Sequence, residues 1–314
     1  MSLIDGILAD SRKRLDERKR RVPLEDVKRQ AADAPRADVT FGEALESRSF
    51  SIIAEVKAKS PSGGAMDPAN VAAALEIYAE TESVSAISIL TDEDHFDGSL
   101  ERLRAARQRT RKPLLRKDFI VDEYQVWEAR AHGADAVLLM ADLYRDDPAS
   151  LARIFDVVRG LGMAALFELG VRTVANPGAV VPPDAEIWGI NARRFDTTRL
   201  QFRSRVGRLL GARKVLGLRT ELSIDADAHA ELREQIPKGK IAIAESGIHD
   251  RGDLRRLSNL NYRSALIGTA FLKKGVKVAE VVRAFDEEAR RMVPSPPRGR
   301  REPSPPSGIR RSPD

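Results

Sequence analysis

The 314-residue chain contains no cysteine. Neither a disulfide framework nor a thiolate metal site can be built from it. Histidine is scarce as well. His95, His132, His229 and His249 stand apart, without the spacing that metal ligands need. Long apolar runs are also missing: no window approaches the ~18 uninterrupted apolar residues of a membrane span. The start, MSLIDGILADSRKRLDERKRR, lacks the apolar stretch and small-residue cleavage site of a secretory signal. The cytoplasm is therefore the expected compartment. The glycine turn KAKSPSGG at 57–64 is neither a GxGxxG nor a Walker loop.

What is present is charge, 32% of residues against 42% hydrophobic, in a chain long enough to bury a sizeable core. The net charge of +6 is unevenly placed. Residues 193–214 hold seven Arg and one Lys against Asp196, and residues 293–314 hold five Arg against Glu302 and Asp314. The rest is mildly acidic, which excludes a uniformly basic, nucleic-acid-binding body. The 293–314 segment also carries seven Pro and almost no apolar material. It cannot bury a face, so a disordered tail is expected.

Residues 1–48 suggest a helical extension, with a weak stripe of Ile4, Ile7, Leu8 and Leu15. From residue 49 to 292 short apolar segments alternate with amphipathic ones. Strands are expected at 51–56, 84–90, 113–117, 135–140, 163–168, 186–191, 240–245 and 264–269, separated by helical patterns with Asp or Ser starts and Gly ends. Eight such repeats match a closed (β/α)8 barrel, an α/β fold. An open doubly wound sheet would need a Gly-rich phosphate turn after its first strand, which is absent.

In such a barrel the C-terminal strand ends carry the chemistry. Here they read Glu55 and Lys57, then Lys117, Glu168, Asn191 and Glu245. Side chains alternate along a strand, so Glu55 shares a face with Lys57, and Leu115 and Phe119 share one with Lys117. If these faces point inward, ammonium and carboxylate groups converge on one mouth. The bland alternative is structural ion pairing, which explains any one of them better than all of them at one end. The turns ESGIHD and IGTAFL follow strands seven and eight, where barrels hold phosphate, and each sets a hydroxyl beside glycine. Tyr124 and Trp127 fit helix packing better than a stacking platform.

The blocks IIAEVKAKSPSGG, SILTDEDHFDGSLERLRAARQRTRKPLLRKDFIVDEYQVWEARAHGADAVLLMA and AIAESGI resemble, in order and spacing, those of the indole-3-glycerol phosphate synthase family. The resemblance spans roughly residues 1–290. It implies a cofactor-free, metal-free enzyme of tryptophan biosynthesis acting on 1-(2-carboxyphenylamino)-1-deoxyribulose 5-phosphate. It further implies Lys117 as general acid at the ketone and Glu168 as the base of dehydration. Lys57 would meet the substrate carboxylate, with Glu55 and Asn191 orienting these groups. Ser60, Phe119, Arg193 and Glu245 would contact substrate, and Ser246, Gly247, Gly268 and Thr269 the phosphate. A monomer is expected, with no membrane or nucleic-acid partner for the barrel and an acidic partner conceivable only for the tail.

Three features depart from the family pattern. Ala192 stands where a second Asn is usual, the fifth crossover begins with Gly170 and carries Pro177, and the segment after Asn191 is long. They motivate two alternatives, a related phosphosugar barrel with altered substrate or a non-catalytic scaffold. Intact Lys57, Lys117 and Glu168 argue against the scaffold.

Overall fold

The computed structural model describes residues 3–60, 64–170, 176–193 and 228–292. The turn at 61–63, the start of the fifth crossover, most of the basic segment and the Pro/Arg-rich tail lie outside the described residues.

Eight parallel strands close into a barrel. They are β1 (Ser51–Val56), β2 (Val84–Leu90), β3 (Leu114–Lys117), β4 (Ala136–Met140), β5 (Ala164–Gly170), β6 (Ile187–Asn191), β7 (Ile241–Glu245) and β8 (Ser264–Ile267). Each pairs with its sequence neighbours, and β8 closes on β1 through Ser51 opposite Ser264 to Ala54 opposite Ile267. The eighth strand is shorter than its apolar pattern suggests. Gly268 leaves the ladder to become the N-cap of the turn of helix Thr269–Leu272. A two-residue antiparallel ladder, Lys59–Ser60 with Gly64–Ala65, follows β1 and had no counterpart in the sequence pattern.

Alternation along the strands divides the core. Ile52, Ala54 and Val56 face outward into the large cluster between strands and helices. Ile53, Leu115, Leu138, Leu166, Ile187, Ile243 and Leu266 fill the barrel interior. Glu55 and Lys117 continue these inward rows by period two. The strands therefore carry apolar residues on both faces, as a parallel sheet covered by helices requires.

Side-chain caps start the crossover helices. Asp67, Ser99, Asp122, Asp147 and Asp250 each accept a backbone N–H from the first turn, worth about 1 kcal/mol apiece. The N-terminal extension forms three helices, Leu3–Arg21, Leu24–Asp33 and Phe41–Glu46. The third closes the floor of the barrel with Phe41 and Leu45. The first lies over the loops beyond β2 and β3, held by Arg14 to Glu93 (2.9 Å), Lys19 to Asp122 (2.6 Å) and Arg18 to Glu128 (2.8 Å). No described helix is long and apolar enough to cross a membrane.

Candidate active site

The C-terminal strand ends surround a cavity of about 310 Å³. Glu55, Lys57, Ser60, Lys117, Phe119, Glu168, Asn191, Arg193, Glu245, Ser246, Gly247, Gly268 and Thr269 all line it. The structure thus brings together every residue the sequence singled out. Their pairing was not legible beforehand.

Lys117, the last residue of β3, reaches across the barrel. Its Nζ donates to Glu245 Oε2 at 2.6 Å and to Glu168 Oε2 at 3.2 Å. Burial disfavours the ammonium, but the Glu245, Glu168 and Glu55 carboxylates more than offset this and hold it charged well above the ordinary lysine range. Glu245 responds in the opposite sense. Burial, reinforced by Glu168 and opposed by Lys117, pushes its carboxyl up to about 8. Glu245 lines the cavity, and its Oε2 is bonded to Lys117.

Lys57 and Glu55 form a second pair, at 2.6 Å. Burial would raise the Glu55 carboxyl, yet Lys57, Lys117 and Arg193 hold it below the usual carboxylate range. Asn191 Oδ1 accepts the Arg193 backbone N–H at 3.0 Å, which fixes the chain as it leaves β6. Burial depresses the Arg193 guanidinium, against the opposing pull of Glu55 and Glu168.

On the phosphate side, Ser246 (φ 64°) and Gly247 (φ 69°) both take left-handed backbone and turn the chain sharply out of β7. Gly268 has a further role that the motif did not reveal. A Cβ there would lie 3.1 Å from both Cβ and Cδ of Glu55, and nearer still to Oε1. Gly268 thus gives room to an acidic side chain as well as standing beside the candidate phosphate loop.

Leu90, Phe96, Phe119, Leu138, Met140 and Leu266 form an apolar wall opposite the charges. Phe96 and Phe119 meet with ring centroids 6.4 Å apart. Sequence reasoning missed Phe96, although it stands just beyond β2 in the DEDHF block. It also missed the layer behind Lys117. Arg116 alternates to the outer face of β3, where it is fully buried and donates to Asp118 Oδ2 (2.9 Å), Thr91 Oγ1 (3.0 Å), the Gln125 carbonyl (2.8 Å) and Glu128 Oε2 (3.0 Å). This network clamps the strand end that carries Lys117, and Arg18 ties it to the first helix through Glu128. Ala192 is buried and is not part of the cavity wall. Among the described residues no group of three or more His, Asp or Glu could hold a metal ion. The carboxylates here gather around ammonium groups instead.

Taken together, the site offers a proton donor flanked by two carboxylates, a second cation–carboxylate pair, an apolar wall fit for an aromatic ring, and two glycine turns fit for an anion. Solved structures with this architecture include 3-hexulose-6-phosphate synthase from Salmonella typhimurium, with TM-score 0.52 and 11% identity over 77% of this chain and 99% of that one. Another is 3-keto-L-gulonate-6-phosphate decarboxylase from Vibrio cholerae, with TM-score 0.51 and 16% identity over 78% and 99%. At such identities the likeness concerns the fold alone. Sequence relatives reach further. The indole-3-glycerol phosphate synthase of Lachnospira eligens is 35% identical over 91% of this chain and 97% of its own. That of a Nocardioides species is 37% identical over 88% and 95%. The family model for indole-3-glycerol phosphate synthase matches residues 4–211 and 213–285, and the chain belongs to that family.

Proposed function

We propose that this protein is a carboxy-lyase of tryptophan biosynthesis that closes the indole ring, converting 1-(2-carboxyphenylamino)-1-deoxyribulose 5-phosphate to indole-3-glycerol phosphate, carbon dioxide and water. The observation that carries the reading is the Lys117 ammonium, held charged between Glu168 and Glu245 at the mouth of a cavity walled by Phe96 and Phe119.

In this reading the phosphate rests on the loops of Ser246–Gly247 and Gly268–Thr269, and the aromatic ring lies against the apolar wall. The ring carbon bearing the carboxylate attacks the ketone carbon while Lys117 Nζ delivers a proton to the ketone oxygen. A carbon–carbon bond forms and the carbonyl becomes a hydroxyl. Loss of carbon dioxide returns its bonding pair to the ring and restores aromaticity. The hydroxyl then leaves as water, with a proton from Lys57, as Glu168 removes a proton from the adjacent carbon. Glu55 holds Lys57, and before the chemistry Lys57 meets the substrate carboxylate. Asn191 orients the hydroxyl side of the substrate, and Ser60 and Arg193 complete its contacts. General acid–base groups so placed contribute roughly 10²–10⁴-fold each. The reading includes a monomer working on a small phosphorylated substrate in the cytoplasm.

The test is incubation of the purified protein with the carboxyphenylamino substrate while indole fluorescence is followed. Absence of the indole signal in folded protein overturns the assignment. Turnover of another ketose phosphate in its place would favour the altered-substrate barrel.

A further inference from the structure

Gly189 occupies the middle of β6, on the inward face it shares with Ile187 and Asn191. Across the β5–β6 ladder it lies opposite Glu168, while Asn191, two residues on, lies opposite Glu245 of β7. An inward side chain at 189 would therefore stand between the two carboxylates that grip Lys117. A Cβ built there would come within 3.3 Å of Glu245 Cδ and 3.1 Å of Leu166 Cδ1, and closer still to Glu245 Oε1. That oxygen is buried and has no hydrogen-bond partner, whereas Oε2 bonds Lys117. The Glu245 carboxylate thus lies over a notch that only a glycine leaves open, and from that notch it spans the barrel to a lysine on β3.

The strand itself does not call for glycine. The φ angle at 189 is not among the left-handed ones, and glycine inside a strand costs stability, since it packs nothing and orders a flexible residue. A residue that carries that cost in a barrel interior has its use in the space it leaves.

From this geometry we propose that Gly189 is a positioning residue for the reaction: its missing side chain seats the Glu245 carboxylate and, through it, fixes Lys117 Nζ against the substrate ketone. The proposal rests on the ring-closure reading for its kinetic consequence but not for its structural one. Gly189→Ala pushes the carboxylate out of the notch, so the 2.6 Å bond to Lys117 is lost and the ammonium is left to Glu168 alone. Substrate binding, which depends on the phosphate loops and the apolar wall, is retained.

The experiment is a double-mutant cycle with Glu245→Ala, which removes the displaced group. Gly189→Ala alone is expected to lower kcat on the order of 10²-fold, as misplacement of a reacting group by about 1 Å does, with KM changed less than about threefold. In the Glu245→Ala background the same substitution should cost less than about twofold, because the two residues act as one unit. A crystal structure of Gly189→Ala should show the Glu245 carboxylate withdrawn from Lys117. Unchanged kcat, an equal loss in both backgrounds, or a carboxylate still bonded to Lys117 overturns the proposal. If Gly189→Ala does not fold, Gly189→Ala/Glu245→Ala should, because the clashing atoms are gone. Failure of both to fold shows that the notch serves the packing against Leu166 instead. Should the unaltered protein fail to close the ring at all, the proposed function falls, while the crystal structure still decides whether the glycine seats the carboxylate.

Discussion

Replacing Lys117 with methionine keeps the length of the side chain and deletes its charge. In the structure that charge lies 2.6 Å from Glu245 and 3.2 Å from Glu168, whose side chains are only 2% and 4% exposed. At an effective dielectric of about 20, each contact amounts to roughly 5–6 kcal/mol of gross attraction. Desolvation offsets most of it, and removing one member of such a buried cluster costs about 3–5 kcal/mol net. The variant should therefore lose two things at once. Turnover should fall at least ~10²–10⁴-fold, because the general acid is gone. Stability should fall by the amount above near neutral pH, and the loss should depend on pH. Burial already pushes the Glu245 carboxyl up to about 8 with the ammonium in place, and without that opposing charge it moves higher. The folded state then holds a proton that the unfolded state releases above its ordinary glutamate value, about 4.3. The unaltered protein and the variant both lose stability as pH rises from that value to about 8; above it the unaltered protein levels off while the variant goes on falling, so the penalty widens above pH 8. Indole fluorescence reports the first loss, and denaturant unfolding at pH 7 and pH 9 the second. Near-normal turnover in a folded variant refutes the catalytic role. A stability equal to that of the unaltered protein, and no steeper with pH, refutes the buried ion cluster.

Glu168→Gln should lower kcat severely at nearly constant KM, since shape is kept and the proton acceptor is lost; a raised KM at constant kcat would assign Glu168 to uniform binding. Gly247→Val forces a branched side chain into left-handed backbone at φ 69° and should weaken inorganic phosphate and substrate alike, as measured by competitive inhibition. Gly268→Val should do more, because it also displaces Glu55, so its loss in kcat should exceed its loss in phosphate affinity. Phosphate affinity intact in both variants would place the phosphate elsewhere. Truncation after Met292, just beyond the helix Val278–Arg291, should leave turnover unchanged while removing any salt-sensitive retention on a polyanion column. A truncated protein that unfolds or loses activity would make the tail part of the working structure.

The sequence already held the rhythm of eight strands, because a buried parallel strand must be apolar on both faces and its crossover helix must be amphipathic. It also held that Glu55 and Lys57 share one face of their strand, since side-chain alternation is a local property of extended backbone, but not that this face points inward. The charges at the strand ends were conspicuous because burying them for packing alone is unfavourable. Phe96 was hidden because one aromatic beyond a strand reads like any other loop residue. Arg116 was masked by its neighbour, for LLRKDF alternates a functional row with a structural one and the sequence does not mark which is which.

Which acid meets which base was decided only in three dimensions. Lys117 and Glu245 are 128 residues apart, and their contact depends on the diameter and stagger of a closed barrel rather than on any spacing along the chain. Lys57 could as well have paired with Glu168, yet it meets Glu55 two residues before it on the same strand. The same holds for Gly189 and Gly268. In the sequence they are plain strand and turn glycines, and only the folded barrel brings a carboxylate from another strand into the space each leaves empty. Local periodicity determines where a side chain points. Closure of the sheet determines what it meets, because that contact belongs to strands whose order and register are set jointly by the whole core.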